Sequence, residues 1–331
     1  NRNVARMSLL MAGLPVTVPG LTINRLCASS LQAIADVSKN IAIGYGDMFI
    51  AGGVESMTRA PFVLPKAESA YSRAGQVYDT SIGWRFINPK LSALYHPYTM
   101  GETAENIAEK YGITRQEQDE FAYKTQLNYQ NALNANKFEN EIIPVHIPQR
   151  KGDALVFQQD EHPRLSTVDQ LSKLSAAFKS GGTVTAGNAS GINDGAAALL
   201  IVSEEALKRY NLEPIAEVVS SAAAGVPPEI MGIGPVPATQ KALKRAGIGV
   251  KDLDLVELNE AFAAQAIACM RDLDLNPDIV NVNGGSIAIG HPLGASGARI
   301  TSTLLHELKR RPSAQYALAT MCIGVGQGVA V

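Results

Sequence analysis

Cys27 stands where a cysteine could act as a nucleophile. It lies among small residues, after a β-rich stretch and at the start of a helical pattern. Free N–H groups and the dipole at a helix N-terminus lower the pKa of a thiol and favour the thiolate, which is the reactive form. This position predicts a reactive cysteine. The alternative is that Cys27 is a small buried apolar residue, as free cysteines often are.

A glycine-rich loop surrounds His291, in a chain that has five histidines. Its glycines are Gly284, Gly285, Gly290, Gly294 and Gly297. Such a loop lets the backbone approach a ligand closely, and Pro292 restricts His291 to an extended conformation. An imidazole held there could act as a base or as a donor to an oxyanion. The alternative is a phosphate loop with an incidental histidine, but the glycine spacing is neither that of a P-loop nor that of a Rossmann loop.

Two further segments place polar or reactive side chains at turns. Cys322 opens a glycine-rich turn that contains Gly324, where a thiol beside free N–H groups suits proton transfer and oxyanion binding. The alternative there is a hairpin turn with a spectator cysteine. Asn259 lies at a strand-to-helix junction, where it could cap the helix or orient a water. Cys269 lies on the apolar face of a helical pattern, so we expect it in the core.

The N-terminal part of the chain is typical of an α/β unit. A β-rich stretch over residues 15–23 predicts a strand that leads into Cys27, and helically spaced apolar residues follow from Leu31 until Gly44. The continuous apolar run over residues 48–51 then ends on glycines. That is typical of a parallel strand buried on both faces.

The middle of the chain differs from the rest, which predicts an inserted or lid domain. Prolines, aromatic residues and charges are scattered over residues 59–182, where Thr114 and Glu117 form a capping box that opens a helix through Asn134. The α/β alternation returns from Thr183 onward. It predicts strands over residues 197–202, 253–258, 279–282, 316–321 and 325–331 and helices over residues 260–273 and 297–310.

The small-residue turn and helix around Cys27 have a faint counterpart at residues 290–297. Two related halves would place these two turns near a common axis. The repeat is too short to establish two halves on its own.

The composition is that of a globular protein with a large core, since hydrophobic residues make up 46% and charged residues 18% of the 331 residues. This length exceeds the roughly 250–300 residues at which single cores stop growing, which predicts two domains.

The net charge of −2 and the lack of Lys/Arg runs argue against nucleic acid as a partner. No stretch approaches the roughly 18 apolar residues of a membrane span. Three cysteines match neither a disulfide framework nor a metal pattern, so we expect a reducing compartment and no metal.

The sequence opens on Asn1 without an initiator Met and closes on the apolar run 329–331. We interpret both ends as cut, so a targeting signal is not observable. Localisation is expected to be cytoplasmic if the source is bacterial, with organellar targeting left open.

Taken together, these segments resemble the thiolase family over nearly the whole chain. The similarity rests on the segment around Cys27, residues 51–57, residues 183–196, the Asn-Glu-Ala-Phe at 259–262, the His291 loop and the Cys-x-Gly at Cys322. Four ordered motifs that each contain a reactive residue are far more specific than any one of them. The resemblance implies a layered αβαβα fold of two similar halves plus a loop domain. It also implies an acyltransferase that moves acyl groups between coenzyme A thioesters.

The resemblance further implies roles for the site residues. Cys27 matches the acylated nucleophile, and His291 would activate it and form a first oxyanion hole with a water held by Asn259. Cys322 would protonate the departing carbanion in cleavage, or remove a proton from the acetyl group in condensation. The backbone N–H groups of Cys27 and Gly324 would form a second oxyanion hole.

Coenzyme A is implied as a substrate, with no permanently bound cofactor. The loop domain, which we place at residues 59–185, would hold it. The candidate contacts are Met100, Arg164, Ala186 and Ser190, of which Ser190 matches a position that touches the pantetheine arm. Arg164, Lys173 and Lys179 are candidates for the nucleotide phosphates, although solvation at the surface is the simpler interpretation of the two lysines.

The remaining boundaries follow from the same comparison. Residues 1–58 and 186–208 would form the N-terminal half, with the strand at 197–202 rejoining it and a first strand and helix preceding Asn1. Residues 209–331 would form the C-terminal half. The family forms dimers, often paired into tetramers, and the first half has an exposed sheet edge, so we expect a homodimer or homotetramer.

Two features bear on the substrate. Thiolases of the short-chain biosynthetic type carry a His where this chain has Thr99, which weakens an acetoacetyl-CoA assignment. Residues 78–89 instead resemble the 3-oxoadipyl-CoA thiolases of aromatic degradation, although those usually have Pro at the position of Gly101. The acyl chain, a role in β-oxidation or in aromatic degradation, and the direction of the reaction stay open.

Two other functions are compatible with parts of the sequence. A decarboxylating condensing enzyme of the ketosynthase type shares the fold, but the second cysteine, Cys322 in its Cys-x-Gly setting, argues against it. A non-catalytic acyl-CoA or lipid carrier would have lost activity. The intact set of Cys27, Asn259, His291 and Cys322 argues against a carrier.

Overall fold

The computed structural model describes residues 3–73 and 75–331. Its α-helices are α1 Val4–Met11, α2 Ser29–Ala42, α3 Pro89–Ser92, α4 Met100–Tyr111, α5 Arg115–Asn134, α6 Val168–Ser172, α7 Glu204–Tyr210, α8 Pro235–Ala246, α9 Ala263–Leu273, α10 Ser286–Ile289 and α11 Ser296–Lys309. Within these two described ranges, no helix is both long enough and apolar enough to cross a membrane.

The strands of the described chain form two larger sheets and two small hairpins. They are β1 Met48–Glu55, β2 Phe62–Val63, β3 Tyr78–Asp79, β4 Val145–Ile147, β5 Leu155–Phe157, β6 Gly195–Val202, β7 Ala222–Gly225, β8 Leu255–Leu258, β9 Ala317–Ile323 and β10 Gln327–Ala330. Short 3₁₀ turns at Leu26–Ala28 and Leu293–Ala295 lead into α2 and α11.

The C-terminal half is built on a four-stranded sheet in the order β7–β10–β9–β8. β8 and β9 run parallel, whereas β10 is antiparallel to both of its neighbours. All of β8 is buried, because helices cover both faces of the sheet. Val256 packs toward α8 and α9, and its neighbour Leu255 packs toward α2 and α11. This alternation follows from the two-residue period of a strand.

The N-terminal half contributes a two-stranded sheet. β1 and β6 are antiparallel, with Met48 opposite Val202 and Glu55 opposite Gly195. The strand that follows the inserted segment therefore pairs with the strand that precedes it, which confirms the predicted return to the first half. α2 packs on β1, and α11 packs on both β6 and β9.

The two sheets enclose a pair of closely packed helices. α2 and α11 are each 14 residues long and each follows a three-residue 3₁₀ turn. The N–H of Ala298 on α11 donates to Ser30 Oγ on α2 at 2.8 Å. A Cβ on Gly297 would lie 2.3 Å from the backbone nitrogen of Leu31, so this approach requires glycine. The two 3₁₀ turns also contact each other, which confirms that the two related turns meet at a common centre in a layered α/β fold.

The inserted segment consists of α3 to α6 and the hairpins β2–β3 and β4–β5. Its longest helix, α5, begins as predicted: Thr114 Oγ1 accepts from the N–H of Glu117, whose carboxylate accepts from the N–H of Thr114 at 2.7 Å. α5 packs against α9 and α10 of the C-terminal half. The boundaries of this domain at residues 59 and 185 stay a prediction.

The strand predicted over residues 15–23 is wrong. This segment is a mostly exposed coil between α1 and the turn at Leu26–Ala28. The carbonyl groups of Val16 and Val18 accept hydrogen bonds from the guanidinium of Arg6 rather than from another strand. The two prolines of the segment lack the N–H donors that a strand ladder requires.

Three other predictions need correction. The strand that contains residues 48–51 is antiparallel to its partner instead of parallel, and only Ala51 of these four residues is buried. Its other face is open because α2 and α11 cover only one face of the two-stranded sheet, and β6 is half-exposed for the same reason. Residues 279–282 form a single bridge, Val256 to Val280, instead of a strand. α9 begins at Ala263 rather than at residue 260, because Phe262 is still extended with φ of −147°.

Candidate active site

Cys27 is the middle residue of the 3₁₀ turn Leu26–Ala28. Side chains hold this turn: Asn24 Oδ1 accepts from the N–H of Leu26 at 2.9 Å, and Ser29 Oγ donates to the carbonyl of Leu26 at 2.7 Å. Leu26 has a φ of 48°, in the left-handed region that is unfavourable for residues with a side chain. The partly buried thiol of Cys27 is therefore fixed by a strained and braced backbone.

Two backbone N–H groups lie beside the Cys27 sulfur and lower the pKa of its thiol. One belongs to Cys27 itself and the other to Gly324, which opens the turn between β9 and β10. A Cβ on Gly324 would lie 3.4 Å from Sδ of Met100 and 3.5 Å from Cδ1 of Leu26, so this turn packs on the start of α4 and on the turn of Cys27. Two N–H donors beside a sulfur are suited to stabilise an oxyanion that forms next to it.

Cys322 lies on β9, and its side chain is buried. It packs in an apolar cluster with Met100, Met231 and Phe262. Burial raises the pKa of the Cys322 thiol well above its ordinary value, and the neighbouring Cys27 raises that pKa further. The turn that carries Cys27 packs against β9, which carries Cys322. Cys322 is a neutral S–H group near neutral pH. Cys269, predicted to be core, is buried in α9.

His291 is buried and is held from two sides. Its ring Nδ1 lies 2.6 Å from Ser296 Oγ, which leaves Nε2 as the ring nitrogen available to the site. Its backbone N–H donates to Asn193 Oδ1 at 3.1 Å. The same loop is tied to β1, because the N–H of Gly294 donates to the Glu55 carboxylate at 3.0 Å. The first half of the chain thus positions a loop of the second half.

Asn259 lies just after β8 and is buried. Its N–H donates to the carbonyl of Thr320 on β9 at 3.0 Å, and its Oδ1 accepts from Ser286 Oγ at 2.7 Å. Its Nδ2 makes no hydrogen bond within the part of the chain that the structure describes. Because α9 begins at Ala263, Asn259 is not its N-cap. A buried amide donor without a partner is suited to hold a water or a substrate oxygen.

Burial, rather than the start of α2, determines the charge state of the thiol and the imidazole. The lowered pKa predicted for Cys27 is wrong: burial raises the pKa of this thiol to about 11, and the N–H groups of Gly324 and Cys27 offset only part of that increase. For His291, burial lowers the pKa to about 4, and the charge of Arg299 acts in the same direction. At neutral pH the site therefore holds a neutral thiol and a neutral imidazole.

We expect the rate at which iodoacetamide alkylates Cys27 to rise steadily with pH. Because the thiolate is the species that reacts, a thiol with a pKa of about 11 gains roughly ten-fold in rate per pH unit between about pH 6 and about pH 9. Mass spectrometry of the alkylated peptide measures this rate. A small free thiol is the reference, since its rate levels off near a pKa of about 8.5. A plateau for Cys27 below about pH 8 would indicate a preformed thiolate–imidazolium pair and contradict the neutral state.

Three of the candidate coenzyme A contacts lie at the site or in residues 186–190 beside it. Met100 lies against Gly324 and in the apolar cluster of Cys322. Ser190 is partly buried, and its N–H donates to the carbonyl of Ala261 at 3.0 Å. Ala186 is exposed. Residues 186–190 and the start of α4 therefore lie where they could face a thioester arm.

The charged candidates lie at the surface. Arg164 is exposed. Lys173 pairs with Asp169 at 2.6 Å and Lys179 pairs with Glu109 at 3.2 Å, which agrees with the surface interpretation of the lysines. A role of these residues toward coenzyme A stays a prediction. Among residues 3–73 and 75–331, no group of three or more His, Cys, Asp or Glu side chains could hold a metal ion.

The side chains that orient the site are not among the site residues predicted from the sequence. Ser296 and Asn193 hold His291, and Ser286 holds Asn259. Ser296 and Ser286 lie in the same small-residue stretch as His291, and Asn193 lies within residues 183–196. A hydroxyl or amide among glycines near a candidate base is the signal that could have identified them.

Two family models match this chain one after the other. The family described as "Thiolase, N-terminal domain" matches residues 1–205, and the one described as "Thiolase, C-terminal domain" matches residues 212–331. The chain belongs to the thiolase family. It is an acyltransferase that moves acyl groups between coenzyme A thioesters by Claisen chemistry.

Similar proteins narrow the comparison within the family. The chain is 55% identical to the beta-ketoadipyl-CoA thiolase of Acinetobacter baylyi and 53% identical to the 3-oxoadipyl-CoA/3-oxo-5,6-dehydrosuberyl-CoA thiolase of Escherichia coli, each time over 100% of this chain and 83% of the relative. It also resembles the solved human mitochondrial 3-ketoacyl-CoA thiolase in complex with CoA, with 44% identity and a TM-score of 0.91. That match covers 99% of this chain and 80% of the human one.

Proposed function

We propose that Cys27 carries the acyl group, His291 is the base that activates Cys27, and Cys322 is the acid or base at carbon. The N–H groups of Cys27 and Gly324 beside the Cys27 sulfur support this proposal most directly. Acyl transfer to a sulfur develops negative charge on the oxygen next to it, and fixed N–H donors stabilise that charge. The buried neutral thiol of Cys322, next to Cys27, supports its role as a proton donor.

The proposed cleavage runs in two steps. The sulfur of Cys27 bonds to the 3-oxo carbon of a 3-oxoacyl-CoA as its proton passes to His291. The bond between C2 and C3 then breaks, its electron pair forms the enolate of acetyl-CoA, and the thiol of Cys322 protonates that enolate. Coenzyme A next gives its thiol proton to Cys322 and attacks the acyl group on Cys27. His291 returns its proton to the Cys27 sulfur, and the reverse sequence is the condensation.

Because the Cys27 thiol and the His291 imidazole are both neutral, their charge state determines when the proton of Cys27 moves to His291. Burial raises the pKa of Cys27 to about 11 and lowers that of His291 to about 4, so a free thiolate–imidazolium pair is unfavourable before substrate binds. In the proposed mechanism the proton passes to His291 as the sulfur attacks the carbonyl. The two oxyanion holes then stabilise charge that appears during attack and not before it.

The two other functions are less well supported. A ketosynthase-type enzyme does not use a second thiol, whereas Cys322 is buried next to Cys27. A non-catalytic carrier has no need for a buried imidazole bonded at Nδ1, nor for a buried amide donor left without a partner.

We propose 3-oxoadipyl-CoA, or a close dicarboxylic 3-oxoacyl-CoA, as the substrate. Relatives at 55% and 53% identity are named as thiolases of beta-ketoadipyl-CoA and of 3-oxoadipyl-CoA/3-oxo-5,6-dehydrosuberyl-CoA, which supports this class. Thr99 is the N-cap of α4 and its Oγ1 accepts from the N–H of Glu102, so its side chain serves the helix. Trp84 Nε1 donates to the carbonyl of Tyr98 at 2.8 Å, which ties residues 78–89 to the start of α4 and thereby to Met100 beside the thiols.

We expect kcat/KM for 3-oxoadipyl-CoA to exceed that for acetoacetyl-CoA by about ten-fold or more. A pocket adapted to a longer chain with a distal carboxylate binds the short substrate without those contacts. The test is coenzyme A-dependent cleavage of a panel of 3-oxoacyl-CoA thioesters from acetoacetyl to 3-oxoadipyl. Prior alkylation with iodoacetamide is the control and should remove all activity. Equal or better use of acetoacetyl-CoA would reject the substrate proposal, while cleavage that survives alkylation would reject Cys27 as the nucleophile.

We propose further that the loop domain binds coenzyme A and that the chain assembles as a homodimer, with pairing into tetramers. The human relative solved with CoA supports the first statement. Outward apolar side chains on the two-stranded sheet support the second: Ile50 is 59% exposed and Leu200 is 54% exposed. Exposed apolar strands of this kind favour association with another chain.

A further inference from the structure

Three polar side chains connect helix α11 to the predicted active-site amide. Arg299 Nη2 donates to Ser286 Oγ at 2.8 Å, and Ser286 Oγ donates to Asn259 Oδ1 at 2.7 Å. Ser286 and Asn259 are almost entirely buried, and the side chain of Arg299 is 16% exposed. Nη1 of Arg299 lies 3.7 Å from the buried carboxyl group of Glu257.

The direction of these hydrogen bonds follows from the chemistry of the groups. A guanidinium only donates, so the oxygen of Ser286 must accept from Arg299. The single proton of Ser286 is then left for an acceptor, and Oδ1 of Asn259 is that acceptor. If the amide of Asn259 were flipped, the buried hydroxyl of Ser286 would lose its acceptor, which is costly in a buried site.

This orientation has a consequence for the other end of the amide. With Oδ1 on Ser286, the Nδ2 of Asn259 points away from Ser286 and makes no hydrogen bond to any described residue. The backbone of Asn259 is bonded to Thr320, two positions before Cys322 on β9. The free donor therefore lies beside the strand that carries the second thiol.

We propose that Arg299 and Ser286 are positioning residues that lock the amide of Asn259 with Nδ2 as the donor to the oxyanion-hole water. This inference rests on the role proposed above for Asn259. Without the lock, the amide can turn, and Oδ1 then faces the oxyanion-hole water in place of the Nδ2 donor. The lock thus acts on stabilisation of the transition state and leaves binding of the thioester unchanged.

The test is a double-mutant cycle between Ser286 and Asn259. Ser286→Ala is expected to lower kcat by about ten-fold, with KM and the rate of Cys27 alkylation unchanged. In an Asn259→Ala background the same change should alter kcat by less than about two-fold, because there is no amide left to orient. Activity is measured with 3-oxoadipyl-CoA or acetoacetyl-CoA, whichever turns over faster, and coenzyme A.

Three further variants separate positioning from general destabilisation. Thr301→Val is the matched control, since Thr301 is also buried on α11 but its hydroxyl donates to the carbonyl of Gly297. It should leave kcat unchanged. Arg299→Lys retains a positive donor, so it should keep more activity than Arg299→Met.

The possible results distinguish this inference from the function on which it rests. If Asn259→Ala itself leaves kcat unchanged, the proposed role of Asn259 fails and the lock fails with it. If Asn259→Ala lowers kcat but Ser286→Ala lowers it by the same factor in both backgrounds, the role of Asn259 stands and the lock is overturned. A parallel rise in KM or loss of Cys27 alkylation in Ser286→Ala would likewise overturn the lock in favour of a structural role.

Discussion

Cys27→Ser is expected to form no acyl-enzyme and to lose at least about 10³-fold in turnover. The pKa of the Cys27 thiol is already raised to about 11 by burial, and a serine hydroxyl has a higher pKa still. His291, whose pKa is lowered to about 4 by burial, is a weak base for that proton. The exchange of sulfur for oxygen leaves the bonds of the turn to Asn24 and Ser29 in place. Mass spectrometry of the intact protein after exposure to an acyl-CoA measures acylation, and a steady-state assay measures turnover.

Cys269→Ser is the matched control for this variant. Cys269 is also buried, but it lies in α9, where its Sγ donates to the carbonyl of Gly232 at 3.2 Å. A serine hydroxyl can make the same bond, so we expect turnover within about two-fold of the unmodified protein. A Cys27→Ser variant that accumulates an acyl group and turns over like the Cys269→Ser control would refute the assignment of the nucleophile.

Cys322→Ser is expected to behave differently from Cys27→Ser. Acylation of Cys27 by an acyl-CoA should persist, because no proton moves at carbon and the coenzyme A thiolate, with an ordinary thiol pKa of about 8.5, can depart without the proton of Cys322. Turnover should fall by about 10²–10⁴-fold, as it does when a positioned acid or base is removed. The buried thiol of Cys322 has a raised pKa, and the higher pKa of a hydroxyl makes it a poorer acid for the enolate. Trapping of the acyl-enzyme together with the cleavage assay separates the two steps.

A Cys322→Ser variant that is not acylated on Cys27 would count against the roles assigned to the two cysteines. If Cys322→Ser cannot be acylated on Cys27, Cys322 takes part in the first chemical step or holds the geometry of the turn. Comparison of the alkylation rates of Cys27 in both proteins separates these two explanations, because a disturbed turn would also change the reactivity of the thiol.

Elements with strong local signals are predictable from this sequence. The helix α5 begins at Arg115 because Thr114 and Glu117 satisfy its first N–H groups within four consecutive residues. The 3₁₀ turn and helix at Cys27 and their counterpart at Leu293–Ala295 are likewise local patterns of small residues. Their contact in space follows from the two related halves.

Pairing between distant strands is not predictable in the same way. An apolar run such as residues 48–51 fits a buried parallel strand, yet its partner is Gly195–Val202 and the pair is antiparallel. The β-rich residues 15–23 have high strand propensity, but no strand of the described chain pairs with them, and the side chain of Arg6 bonds the carbonyl groups of Val16 and Val18. Strand formation depends on a neighbour that the local sequence does not specify.

The candidate active site also has some features that the sequence shows and others that only the fold determines. The types and order of Cys27, Asn259, His291 and Cys322 are visible in the sequence, and so is Gly324. The protonation state is not, because burial determines it and burial depends on the whole fold. Ser286 lies in the glycine-rich stretch of His291, but its pairing with the distant Asn259 amide depends on the fold.

The most direct test of the central claim is to locate the acyl group by mass spectrometry. The protein and its Cys27→Ser and Cys322→Ser variants are exposed to an acyl-CoA, trapped and digested. We predict the acyl group on the peptide of Cys27 in the unmodified protein and in Cys322→Ser, and no acylated peptide in Cys27→Ser. An acyl group on Cys322, with Cys27→Ser still turning over, would contradict the account and reverse the roles of the two thiols.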